Sequence, residues 1–577
     1  MTQKIPVFET ENVRTAIWDS TELRPDTIIP EISRELKRAY RGQKTLEDFK
    51  EGPLKMEYLE KGAVTAEGIG GREIPLRKVD LVIMNPPFTR QERLPKDYKD
   101  ALTRRFQEYR DELHGQLGLW GYFLLLADRF VKNGGRIALV YPSRPLGAES
   151  AQKIREFLFN EYEIDYVITT WERAAFSESS QYREILLVMK KFEENGTKKA
   201  SLCRIINLKR MPRSLDEARS FAREIRSVIS DYDSERIKAT ILTRKELKDT
   251  IDNWFFHIAS FDLGIAKIWG RIHSLDVKRL LSFREYLERQ NTDIIRGVET
   301  KSGFGFSFYE TFIVREPERA LKSYDRWFVE EVIEKGVVAK SRLTKETIEI
   351  PTRKVCSGIR RASGMETLDL SNKLDYIIID SFKDIDKILS INLLQNFKEH
   401  SEEWKKYVES RFGRFLISRR FDLSAIGTKL IAFFSGERTT GQNLWTLRDI
   451  KEDEAKILTL WFNSTPNLLQ VYLQRTETRG AWMEINKGMI LDFLLLDPNS
   501  LSENEKEDFV VLFEEVKNVE LPSLLEQLDQ EHPLRKKIDR AILKILGLNE
   551  EEISGLLGYL YPVLHKEILH LKELMAG

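Results

Sequence analysis

The chain has 577 residues, enough for three to four domains at roughly 150 residues each. Its 92 Lys and Arg balance 92 Asp and Glu, which excludes a globally basic nucleic-acid coat and makes any DNA-binding face local. A 41% hydrophobic share excludes intrinsic disorder, and two distant cysteines, Cys203 and Cys356, exclude a disulfide scaffold or Cys-rich zinc site.

No apolar run reaches the roughly 18 residues of a membrane helix, and the N-terminus has no apolar signal core. The expectation is a soluble, cytoplasmic, multidomain protein. Val13 to Trp18 reads as a short strand followed by Asp19. Residues 31–78 read as an insertion: a charged helical piece, then a turn region holding Gly68-Ile69-Gly70-Gly71. Val79 to Met84 is the clearest strand, apolar enough for burial on both faces of a parallel sheet. It stops at Asn85-Pro86-Pro87-Phe88, because two prolines cannot continue a ladder. Leu119 to Val131 has helical apolar spacing and is expected to stop at Asn133-Gly134-Gly135. Arg136 to Tyr141, Ile164 to Thr169 and Glu184 to Met189 read as strands, with a helix over Ser150 to Tyr162. That alternation predicts a parallel sheet with right-handed crossovers.

The Asn85–Phe88 turn carries chemistry. Ligands of open α/β sheets bind at the C-terminal ends of strands. The Asn85 amide oxygen and the Pro86 carbonyl, which has no neighbouring N–H on Pro87, can both accept from one exocyclic NH2. Two acceptors draw the hydrogens out of conjugation and expose the nitrogen lone pair. Phe88 offers a face on which a base can stack.

With these residues in place, Val13 to about Lys191 resembles the amino-group DNA methyltransferases acting on adenine N6 in restriction–modification-like systems. Val79–Phe88 is similar to the family's catalytic motif, which gives Asn85, Pro86, Pro87 and Phe88 catalytic roles. Leu119-Trp120-Gly121-Tyr122-Phe123 and Asn133 to Val140 resemble the helix and strand that follow. The resemblance implies S-adenosylmethionine as cofactor, with Asp19, Leu119 and Phe123 against it, and implies that Phe176 packs on a flipped base. Simple core packing is the competing account of Phe123 and Phe176, and an ordinary turn that of Asp19. The family's Gly-rich turn and following acid are missing ahead of Asp19, and Gly68–Gly71 is not placed to replace them. The chain therefore reads as entering the fold part-way. Either a partner polypeptide supplies the first strands, or the reading frame is truncated.

The longer C-terminal part suits a target-recognition region for double-stranded DNA. Residues 335–361 hold eight basic and two acidic residues, and residues 405–420 hold six and one. Arg353, Lys354, Arg360, Arg361, Arg414, Arg419 and Arg420 are the candidate phosphate contacts, with a solvated charged face as the alternative. Residues 411–496 also resemble the family's recognition region, through the Leu460-Trp461-Phe462-Asn463-Ser464-Thr465 segment and Thr478 to Trp482. That resemblance adds Arg479 as a DNA contact, with a structural turn as the alternative. The seven histidines lack metal-ligand spacing, and neither a metal nor a nuclease is expected.

The fold class is α/β: a partial Rossmann-like methyltransferase sheet, an α+β target-recognition region and a helical C-terminus. The segments are 1–192 (catalytic), 193–250 (connector), 251–500 (recognition) and 501–577 (helical). Two alternatives stand beside DNA methylation. One is methylation of an RNA base or a protein glutamine; the other is a catalytically incomplete DNA-binding or specificity subunit.

Overall fold

The computed structural model describes residues 19–30, 73–89, 91–170, 176, 183–193, 201–275, 278–299, 308–315, 326–475 and 480–576. The expected strand at Val13 to Trp18, Gly68–Gly71 and Arg479 lie outside them. The chain divides into two compact units, residues 1–258 and 259–577.

The first unit is built on a seven-stranded sheet. Its strands are β1 (Val79–Met84), β2 (Val131–Pro142), β3 (Tyr162–Thr170), β4 (Glu184–Lys191), β5 (Leu202–Leu208), β6 (Tyr232–Asp233) and β7 (Ile237–Thr243), in the order β1-β2-β4-β3-β5-β7-β6. Strands β1 and β2 are parallel, as are β3 and β5, while β4 runs antiparallel to both of its neighbours. The sheet is thus mixed, where the alternation predicted a parallel one. No helix is described between β3 and β4, and β4 returns antiparallel alongside β3 instead of crossing over. The segment read as a connector adds β5, β6 and β7 to the same sheet.

Three helices belong to this unit's first part: α1 (Lys96–Arg105), α2 (Leu119–Phe130) and α3 (Gln152–Glu161). Helix α2 ends at Phe130, and β2 begins at once. The glycines expected to stop the helix lie inside β2, where Gly134 takes a φ of 76°. There the register jumps from Val79↔Val131 to Leu81↔Arg136, so the extra residues bulge out and a left-handed glycine fits.

One face of the sheet is sealed. Ile137 and Leu139 of β2, and Ile185, Leu187 and Met189 of β4, are buried. The opposite face is covered only in part. Helix α4 (Leu215–Ser227) shields Ile168 and Ile206 with Phe221 and Ile225. Towards β1 the cover thins: Ala138, Val140 and Val188 are half-buried. On β1, Leu81 is 52% and Ile83 73% exposed. Among the described residues, the strand expected to be buried on both faces is therefore the edge of the sheet, with one row of its backbone groups unpaired there.

Ordinary burial also sets one pH response. His257 is buried, its ring nitrogen 2.8 Å from the Thr250 hydroxyl, and desolvation pushes its pKa down to about 4. The unfolded imidazole titrates near 6.5. Between those values only the unfolded chain takes up the proton, so stability is full above about pH 6.5 and declines as pH falls towards 4. The loss is on the order of 2–3 kcal/mol. Melting curves from pH 7 to 4 should fall less steeply for His257→Gln than for wild type; parallel slopes would remove His257 from the acid response.

The second unit holds another seven-stranded sheet: β8 (Ile294–Arg296), β9 (Phe312–Ile313), β10 (Val355–Ile359), β11 (Asp375–Ile378), β12 (Gly413–Ser418), β13 (Ala432–Gly441) and β14 (Leu444–Leu447). Their order is β8-β14-β12-β13-β10-β11-β9. Helices α5 (Ile391–Glu409), α6 (Glu452–Phe462), α7 (Thr465–Leu473), α8 (Pro533–Ile545) and α9 (Glu550–Ala576) surround it or continue to the C-terminus. No helix among the described residues is long and apolar enough to cross a membrane.

Candidate active site

Strand β1 delivers Asn85 to the C-terminal end of the sheet. Asn85 and Pro87 are exposed, Pro86 is buried and Phe88 is half-buried. Among the described residues no hydrogen bond to the Asn85 amide is present, so its oxygen is available to a ligand. The turn is fastened from behind: the Leu119 N–H donates to the Thr89 carbonyl at 3.0 Å, tying it to the start of α2. Gly118 is required there, because a Cβ would lie 3.2 Å from the Thr89 oxygen and 2.6 Å from the Trp120 ring nitrogen. Trp120 meets Tyr141 of β2 edge-on, with ring centroids 5.1 Å apart, and so supports the helix against the neighbouring strand end. The sequence reading missed this link because it runs through backbone groups and a glycine. The Gly-Leu-Trp run after a Pro-Pro turn was the signal available.

Leu119 and Phe123 are half-buried on α2, one turn apart. Phe176 and the Asn85 turn lie at the same end of the sheet, since β1, β2 and β3 run in one direction. Phe176 itself packs on the Ile168–Ile206 apolar cluster, and its N–H donates to the Glu184 carboxylate at 3.3 Å.

Asp19 is committed within the protein. Its Oδ1 accepts from the Thr21 N–H at 3.0 Å and the Thr21 hydroxyl at 2.7 Å, and its Oδ2 accepts from Arg105 at 2.6 Å. Burial alone would raise the carboxyl pKa; the Thr21 hydrogen bonds and the Arg105 guanidinium outweigh that and hold it low. This acid fastens the 19–23 segment to α1, in addition to any role towards a ligand.

S-adenosylmethionine fits these residues only in part. An exposed amide, a half-buried aromatic ring and the α2 start are present. Among the described residues of this unit, no glycine lies directly after the C-terminal end of a strand to cradle it; Gly147, five residues past β2, packs against Asn253 and Phe255. No group of three or more His, Cys, Asp or Glu stands together as metal ligands among the described residues.

The basic candidates of the second unit separate once their partners are seen. Arg360 is 3% exposed and hydrogen-bonds Gln442, while its N–H donates to Asp375 at 2.7 Å. It is an internal residue, not a surface contact. Lys354 pairs with Asp380, Arg414 binds the Gly436 carbonyl, and Arg420 meets Glu484 at 2.7 Å. Arg419 lies 3.9 Å from the same Glu484. Arg353 is exposed and Arg361 half-buried. The Leu460–Thr465 segment is a buried joint: Asn463 accepts from the Ile431 N–H at 2.8 Å and donates to the Ala432 carbonyl at 2.8 Å.

Residues 17–176 match the Eco57I restriction-modification methylase family. Over 102 residues the chain is 29% identical to the type II methyltransferase M.BanIII of Aneurinibacillus aneurinilyticus, a stretch covering 18% of this chain and 17% of that protein. Among solved structures, the type IIG restriction endonuclease BpuSI aligns at 13% identity over 85% of this chain and 54% of its own, with a TM-score of 0.37. The type IIL restriction-modification enzyme MmeI, solved in complex with DNA, aligns at 11% identity over 86% of this chain and 57% of its own, with a TM-score of 0.41. This chain thus spans little more than half the length of either enzyme.

Proposed function

We propose that this chain, whose residues 17–176 carry a restriction-modification methylase segment, acts in S-adenosylmethionine-dependent methylation of adenine N6 in double-stranded DNA. The observation that carries the reading is the Asn85-Pro86-Pro87-Phe88 turn, open at the C-terminal end of β1 and braced by α2. Asn85 and the Pro86 carbonyl accept from the target amine, and Phe88 stacks on the base. A base inside a duplex cannot reach this turn, so it is flipped out, with flanking sequence read by the second unit. The cofactor supplies the methyl group; the chain's part is to hold and orient the amine.

The open edge of β1 supports a second part of this reading. A separate polypeptide, bearing a strand and a Gly-rich turn, pairs with β1, covers Leu81 and Ile83 and completes the cofactor pocket. Half a pocket cannot bury most of a ligand of this size. The lack of a cradling glycine among the described residues also favours the alternative of a catalytically incomplete DNA-binding subunit. An RNA base or a protein glutamine amide would suit the same two acceptors.

Tritium-methyl transfer to DNA, RNA and protein acceptors, with and without candidate partners, separates these readings. Counts in DNA only, appearing as N6-methyladenine, are expected. Transfer to RNA or protein instead would overturn the substrate, and no transfer with any partner would favour the incomplete subunit. Calorimetric titration of the isolated chain should show weak cofactor binding; tight stoichiometric binding would sink the partner.

A further inference from the structure

An open cleft of about 460 Å³ lies in the second unit beside β8, lined by Arg296, Glu299, Tyr407, Arg411, Trp445 and Lys487 among others. Strand β8 is the edge of its sheet, pairing with β14 so that Arg296 stands opposite Trp445. The charges in the cleft do not cancel. Lys487 meets Asp293 at 3.2 Å, and Arg296 meets Glu299 at 3.0 Å while its guanidinium sits 5.7 Å from the Trp445 ring centre. Arg411 is left over. Its guanidinium stacks 4.9 Å from the Tyr407 ring centre, and among the described residues it has no carboxylate partner. Its Nε is buried without a hydrogen-bond partner. The ring is held in turn: the Tyr407 hydroxyl accepts from the Glu299 N–H at 3.2 Å.

The Nε faces the protein, so the two terminal nitrogens, which are not buried and have no partner among the described residues, are the donors left to meet a ligand in the cleft. A guanidinium pre-stacked on an aromatic ring loses little freedom on binding, and its planar fork matches two oxygens of one phosphate.

We infer that this cleft seats a backbone phosphate of duplex DNA, with Arg411 as its principal ligand and Lys487 at the rim. The inference rests on the proposed DNA substrate and names where the second unit holds it. It also moves the contact away from Arg360, which is buried on internal partners.

The test is fluorescence anisotropy of a labelled duplex with the full-length chain, between about 50 and 200 mM salt. Wild type should bind with an affinity that falls as salt rises. Arg411→Ala should bind more weakly, its slope of log K against log salt reduced by about 0.9, the value of one lost duplex phosphate contact. Arg411→Lys, which keeps the charge but not the fork, should recover the slope and only part of the affinity. Lys487 is half-exposed at the rim in an exposed ion pair, so Lys487→Ala is expected to fold and repeats the slope test if Arg411→Ala does not. Wild-type binding with unchanged slopes in both variants would overturn the cleft while leaving the DNA reading intact. No duplex binding by wild type, with or without a completing polypeptide, would overturn the DNA reading and the cleft with it.

Discussion

Asn85→Ala is expected to transfer methyl groups about 10²–10³-fold more slowly than wild type in the complete, active assembly. That is the usual effect of removing one preorganised hydrogen-bond partner from a transition state. Asn85 is exposed and holds nothing else in place among the described residues, so the melting temperature should not move. Duplex affinity should also hold, because phosphate contacts dominate it. The Pro86 carbonyl survives the substitution, which leaves one acceptor and a residual rate. Single-turnover kinetics with saturating cofactor check this directly. A variant as fast as wild type would remove the amine-holding role from this turn, whatever the family resemblance of the segment around it.

The second large effect concerns stability. Asp539 of α8 is fully buried and accepts from the Thr465 N–H at 2.6 Å, the Thr465 hydroxyl at 2.6 Å and the Tyr561 hydroxyl at 2.7 Å. It thereby ties α7 and α9 to α8. Arg535, also buried, lies close enough for the two charges to interact, and it donates to the Thr465 hydroxyl at 3.1 Å. Asp539→Ala leaves three donors without their acceptor and the buried Arg535 guanidinium without its nearby opposite charge, and should lower stability by about 3–5 kcal/mol. Asp539→Asn keeps one acceptor and the shape, and should lose less. The midpoint of the denaturant transition of the second unit reads both. A shift under about 1 kcal/mol for Asp539→Ala would show that Arg535 is neutralised elsewhere.

The sequence made some of this architecture legible and hid the rest for identifiable reasons. The Val79–Met84 strand and its Pro-Pro stop are local signals, and the structure bears both. The exposure of Leu81 and Ile83 was not readable, because an all-apolar run looks the same at a sheet's edge as at its centre. Glu184 to Met189 was legible as a strand, but its antiparallel place between β2 and β3 was not, because direction in a sheet depends on the connection, and the segment between β3 and β4 carries no periodic pattern. Arg360 was grouped with Arg361 because charge is legible in a residue's type, whereas its partners, Gln442 and Asp375, lie far off in sequence. Arg411 sat inside the basic 405–420 stretch without distinction. What separates it from Arg414 and Arg420 is an unfilled partner, which only the folded chain reveals.

The open edge of β1 has a consequence for how output would be controlled. If the pocket is shared between two polypeptides, neither one's abundance alone sets the methylation rate. Below the dissociation constant of the pair, the active species grows as the product of the two concentrations, so diluting both tenfold lowers it about a hundredfold. A newly replicated genome would then be methylated quickly only when both genes are well expressed. An excess of this chain alone would then leave Leu81 and Ile83 exposed beside a strand edge that is open among the described residues, which favours association with other strands.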